Sequence, residues 1–167
     1  MAILHLGANR ILGSSTEAPT DGSDTILKFT GNGTFTPTES FNVEYLVVGG
    51  GGGSGAQVGG GGGAGGYRVS SSNAQNHGVT AQTYTITVGA GGIRADTTDA
   101  GGVSGAKRRA TNGGNSTFDT ITSAGGGFGA DNDITPYLPG ANGGSGGGGS
   151  YRDDAQGNAT PGGSGNT

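Results

Sequence analysis

The stretch Tyr45-Leu-Val-Val-Gly-Gly-Gly-Gly-Gly53 changes from one kind of chain to another within a few residues. Its first half ends the run Phe41-Asn-Val-Glu-Tyr-Leu-Val-Val48, which in an extended backbone puts Val43, Tyr45 and Val47 on one face and Leu46 and Val48 on the other. The last half of such a strand is covered on both faces. The second half of the stretch is bare backbone, and each glycine there costs about 0.5–1 kcal/mol more than alanine in ordered structure. Five in a row read either as a flexible linker or as a place where chains approach so closely that any Cβ would block them. A linker has no need of a valine strand before it. The same order of events also returns downstream. Thr83-Tyr-Thr-Ile-Thr-Val88, with Tyr84, Ile86 and Val88 inward, runs into Gly89-Ala-Gly-Gly92. Ser116-Thr-Phe-Asp-Thr-Ile-Thr122, a strand whose Phe118 and Ile121 fall off the two-residue period, runs into Gly125-Gly-Gly-Phe-Gly129. The repeat is about 35–40 residues, and further tracts at Gly59 to Gly63 and Gly146 to Gly149 make it irregular.

Working outward, Thr25 to Thr30 and Thr34 to Thr36 predict a hairpin about Gly31-Asn-Gly33. The glycine load nearly excludes helix. The fold class expected is therefore mainly β: a small antiparallel sheet or sandwich with an irregular glycine-rich layer of packed polyglycine II-type segments. Threefold extended helices have no internal hydrogen bonds, so they donate and accept between neighbours and form a core made of backbone. Gly49, Gly51, Gly53, Gly61 and Gly63 are the expected packing positions, and valine at Gly51 and Gly61 is expected to abolish folding. Tyr67-Arg68 and Tyr151-Arg152 each follow a glycine tract, where the rings are expected to cap the layer. Residues 1–24, with Ile3, Leu4, Leu6, Ile11 and Leu12, read as an anchoring segment or an edge strand, and 25–167 as the β and glycine-rich domain.

Composition closes several classes of function. Of 167 residues, 42 are Gly and 26 are Leu, Ile, Val or Phe, a supply that fills only a thin core. A net charge of −4, with 12% charged residues, disfavours broad electrostatic capture of nucleic acid. The absence of Cys removes disulfides and thiolate chemistry. The start has no basic n-region and no long apolar run, so neither a signal peptide nor membrane insertion is expected. Chance G-x-G-x-x-G matches lead into no helix, and no triad or carboxylate pair stands out, so no cofactor is expected and the chain reads as no enzyme. Asp131 and Asp133 suit a solvated Asx turn better than a metal site, so no metal is assigned. Polar stretches 70–82, 94–112 and 131–139 read as surface loops. Within them Arg94, Lys107, Arg108, Arg109 and Tyr137 are the candidate contact residues, because guanidinium forks and aromatic rings suit surface sugars.

Phe29, Gly33-Thr-Phe-Thr36, Tyr45 to Gly53, Gly59 to Arg68, Tyr84 to Gly92 and Gly114-Asn-Ser-Thr-Phe118, taken in order, resemble the glycine-rich domain of bacteriophage tail-fibre and adhesin proteins. The resemblance covers roughly residues 25 to 150. It implies a virion structural protein on an exposed appendage, made in the host cytoplasm. The implied partners are other virion proteins or copies of itself, and a host-surface glycan or protein. A capsid decoration or fibre protein, an ice-binding protein and a glycan depolymerase stand as alternatives. The chain departs from the pattern in having fewer long tracts in its second half and no closing strand, so a distal part is expected to be missing.

Overall fold

The structure, a computed structural model, describes residues 1–6, 11–12, 20–21, 24–56, 58–70, 77–96, 109–131, 138–151 and 159–166. The chain forms two compact units. The first comprises Met1–Val48, Tyr67–Gly89 and Asn115–Ser123, and the second Gly49–Gly66, Ala90–Gly114 and Ala124–Thr167. Each passage from a strand into a glycine tract is thus a passage from one unit to the other, where a boundary at residue 24 was expected. No helix occurs among the described residues, and the fold is mainly β.

The first unit holds β1 (Ala2–Leu6), β2 (Ile11–Leu12), β3 (Thr20–Asp21), β4 (Asp24–Phe29), β5 (Gly33–Pro37), β6 (Phe41–Val48), β7 (Tyr67–Val69), β8 (His77–Val79), β9 (Tyr84–Thr87), β10 (Ser116–Phe118) and β11 (Ile121–Ser123). They form two antiparallel sheets, ordered β3-β4-β1-β6-β7 with β8 also on β6, and β11-β10-β9-β5-β2. Alternation decides which side chains meet between them: Leu4, Leu27, Phe29, Val43 and Val47 from the first sheet, and Phe35, Tyr84, Ile86 and Phe118 from the second. The Phe35 ring lies 6.0 Å from Tyr84 and 6.2 Å from Phe118, so aromatic rings fill the space that a thin aliphatic supply leaves.

Three expectations change. Strands β4 and β5 do not form a hairpin, because β4 pairs with β1 and β3 while β5 pairs with β9 and β2. The chain instead turns a corner between sheets, the side-chain oxygen of Asn32 accepts the Val88 N–H at 2.8 Å, and Phe29 and Phe35 enter the same core from opposite sides. The start of the chain divides between roles: β1 lies inside the first sheet between β4 and β6, while β3 and β2, also within residues 1–24, each form one edge of a sheet. The segment Ser116 to Thr122 is a hairpin, with Phe118 opposite Ile121, which is why its apolar residues break the two-residue period. Its turn needs φ of 51° at Asp119, the sole non-glycine residue with positive φ among those described. The Asp119 carboxylate is held 2.8 Å from the His77 ring nitrogen.

Candidate functional site

The second unit is built from short extended tracts, in chain order 49–56, 59–66, 90–96, 109–114, 124–131, 138–144, 145–150 and 159–166. Their hydrogen bonds repeat every three residues. In tract 1, the N–H groups of Gly49, Gly52 and Gly55 donate to the carbonyls of Gly66, Gly63 and Gly60 in tract 2. Gly50 and Gly53 donate to Gly114 and Thr111 in tract 4, and the carbonyls of Gly51 and Ser54 accept from Gly92 and Ala95 in tract 3. A backbone with three residues per turn and no internal bonds sends successive N–H groups in directions about 120° apart, which is the polyglycine II arrangement.

Tract 5 is the centre of the bundle. Gly126 and Gly129 donate to tract 1, and Gly127 and Ala130 to tract 7. Its carbonyls take N–H groups from tract 2 (at Ala124, Gly127 and Ala130), tract 6 (Gly125 and Phe128) and tract 4 (Gly126). Five neighbours thus surround one chain, and Gly125, Gly126, Gly127, Gly129 and Ala130 are all buried. A Cβ on Gly126 would overlap the Gly63 carbonyl oxygen, and one on Gly127 the Ala141 carbonyl oxygen. Glycine is required here by close approach of backbone to backbone.

Side chains replace missing neighbours. No backbone carbonyl among the described residues takes the Phe128 N–H, and the side-chain oxygen of Asn112 accepts it at 2.9 Å; Thr111 Oγ1 does the same for Ile93, and the side-chain oxygen of Asn142 for Ser164. The sequence placed Thr111 and Asn112 in the surface loop expected over 94–112, whereas the described ends of that stretch belong to tracts 3 and 4, and it did not single out Asn142. Their signal was position: an Asn or Thr lying within or beside a glycine tract.

Successive tracts alternate in direction, so the connections between tracts 1 and 2, 3 and 4, 5 and 6, and 7 and 8 leave from and return to one end of the unit. Ala95 donates to Ser54, Gly60 to Ala130, and Ala130 to Gly148 near that end, while Asp131 pairs with Leu138 and Ser150 with Thr160. Two of the candidate contact residues, Arg94 and Arg109, fall near it. Arg94 is exposed on tract 3, and Arg109, half-buried, begins tract 4. Lys107, Arg108 and Tyr137 lie outside the described residues. Among the described residues no group of three or more His, Cys, Asp or Glu could hold a metal, and Asp133 lies outside them.

The glycines singled out from the sequence divide in two. Gly49, Gly53 and Gly63 are buried; a Cβ would overlap the Ile93 carbonyl oxygen at Gly53 and the Ser145 carbonyl oxygen at Gly63. Gly51 and Gly61 are exposed: a Cβ on Gly51 meets nothing nearer than the Gly63 oxygen at 3.7 Å, and one on Gly61 meets nothing within 4 Å. The expectation that valine at these two positions abolishes folding is therefore corrected. Tyr67 and Tyr151 do not cap the layer either, standing 64% and 65% exposed.

An antiparallel two-sheet unit joined to a bundle of glycine tracts defines a class of protein in which backbone packing carries half of the fold. A family model described as a glycine-rich domain matches residues 29–167, and the chain belongs to that family. No curated protein and no solved structure matches the chain.

Proposed function

We infer that the protein is a non-enzymatic structural component of a bacteriophage virion, part of a tail fibre or adhesin, and that it contributes to attachment at the host surface. The observation that carries this reading is that the described ends of the tracts on either side of four connections lie at one end of the glycine bundle. A frame packed mainly through backbone, with one small cluster of side chains inside it, can change its connections without changing its packing, which suits a recognition surface that must vary. The order of glycine and aromatic motifs, similar to that of phage adhesins, supports the same reading.

The test is to image intact particles labelled with antibody against this chain. Separately, the connections 97–108, 132–137 and 152–158 are replaced by Gly/Ser and host adsorption is measured. Label on the fibre, with adsorption lost and assembly kept, is the expected result. Label on the capsid shell moves the protein to decoration, and unlabelled particles overturn the reading.

A further inference from the structure

In a bundle of threefold tracts each chain has six neighbour positions, and its N–H groups address three of them. Tract 1 gives two of its three sets to tracts 2 and 4, and tract 5 lies between those. Its third set, the N–H groups of Gly51 and Ser54, therefore points away from the central tract, and these groups donate to no described residue. By the same count the unbonded sets on this side are Gly91 and Arg94 in tract 3, and Gly62 and Gly65 in tract 2. The carbonyls of Gly52, Gly62 and Gly92 accept nothing from the described residues.

Tracts 3, 1 and 2 thus form one side of the bundle whose donors and acceptors repeat with the same three-residue period as its interior. The residues that turn a side chain outward there are Gly51, Ser54, Gly61, Ala64, Gly91 and Arg94, all exposed. None but Arg94 exceeds serine in size. Glycine at 51, 61 and 91 is not required by packing within this chain, because a Cβ there meets at most an ordinary contact at 3.7 to 4.0 Å.

We propose that this face binds the same face of a second copy of the chain, with tracts of the two copies antiparallel. The unit already shows what covers such a surface: tract 2 lies antiparallel on tract 1 through N–H to carbonyl bonds at three-residue spacing. A partner with the same period meets every exposed donor with an acceptor, and two-fold symmetry makes the match reciprocal. Three tracts about 25 Å long at about 5 Å spacing bury about 800 Å² in total, which places the contact in the weak, reversible class. It forms where copies are concentrated, as on an assembly, and it does not depend on the attachment reading.

Sedimentation of the full chain between about 10 μM and about 1 mM tests it, because small interfaces associate in that range. The expected mass rises from monomer toward dimer, and the double variant Ser54→Lys, Ala64→Lys stays monomeric with an unchanged melting temperature. Both positions already carry a Cβ, so the fold has room for the change. A wild-type chain that is monomeric throughout, or a variant that associates equally well, overturns the proposal. If the variant melts early, amide exchange in the wild type decides instead: slowing at Gly51, Ser54 and Gly91 with rising concentration supports the contact, and concentration-independent exchange overturns it.

Discussion

The two units answer the same physical demand with opposite materials. The first buries Phe29, Phe35, Phe118, Leu4 and Ile86 between two sheets, and its stability follows apolar side-chain area removed from water. The second has one small apolar cluster among its described residues, Ala56, Ala95 and Ala110 with Phe128. Its interior is peptide groups, nearly all bonded to another tract. A core thus requires close packing and paired polar groups, and apolar bulk is one way to achieve the first of these. In the glycine unit, absence of side chains lets dispersion and hydrogen bonding act between backbones on several sides at once.

The largest effect is expected of Gly126→Val in the central tract, where the two kinds of core differ most. The added side chain has to displace the Gly63 and Ala64 carbonyls, so a loss above about 4 kcal/mol is expected, with no cooperative melting transition left. Native melting of this variant would show that the backbone core is not tightly packed. Next in size is Phe118→Ala in the first unit, which removes a fully buried ring lying against Phe35, Tyr45, His77 and Tyr84. Chemical denaturation should report a loss of about 3–5 kcal/mol, the ordinary cost of a core cavity. The smallest effect belongs to Gly61→Val, expected within about 0.5 kcal/mol of the parent because its Cβ enters open space. A large loss there would erase the distinction between inward and outward glycines.

Much of the fold was legible in the sequence. The alternation of Tyr84, Thr85, Ile86 and Thr87 marked β9, and Val48 running into Gly49 marked the start of a tract. What could not be read was phase. Gly51 and Gly53 belong to one run of five glycines, yet one faces solvent and the other the Ile93 carbonyl, because registration against neighbouring tracts decides which third of each tract turns inward. Pairing was hidden for a similar reason. Gly31-Asn-Gly33 suits a hairpin and a corner between sheets equally well, and only the partners of β4 and β5 separate the two. At the candidate site, Arg94 and Arg109 were legible as the cationic residues of polar stretches. Asn112 was not, since its importance lies in a Phe128 N–H that no backbone carbonyl among the described residues takes.

The three-residue period also sets a rule for how this chain can change over generations. Inserting one residue within a tract turns everything after it by about 120°, handing each N–H to the wrong neighbour. Inserting three restores the direction of each N–H and lengthens that tract by about 9 Å. Heritable length changes in the tracts are thus confined to steps of nine nucleotides, while the connections at the bundle's end accept steps of any whole codon. One stretch of gene is metered and the next is free, and recombination between relatives can exchange the free parts without disturbing the metre.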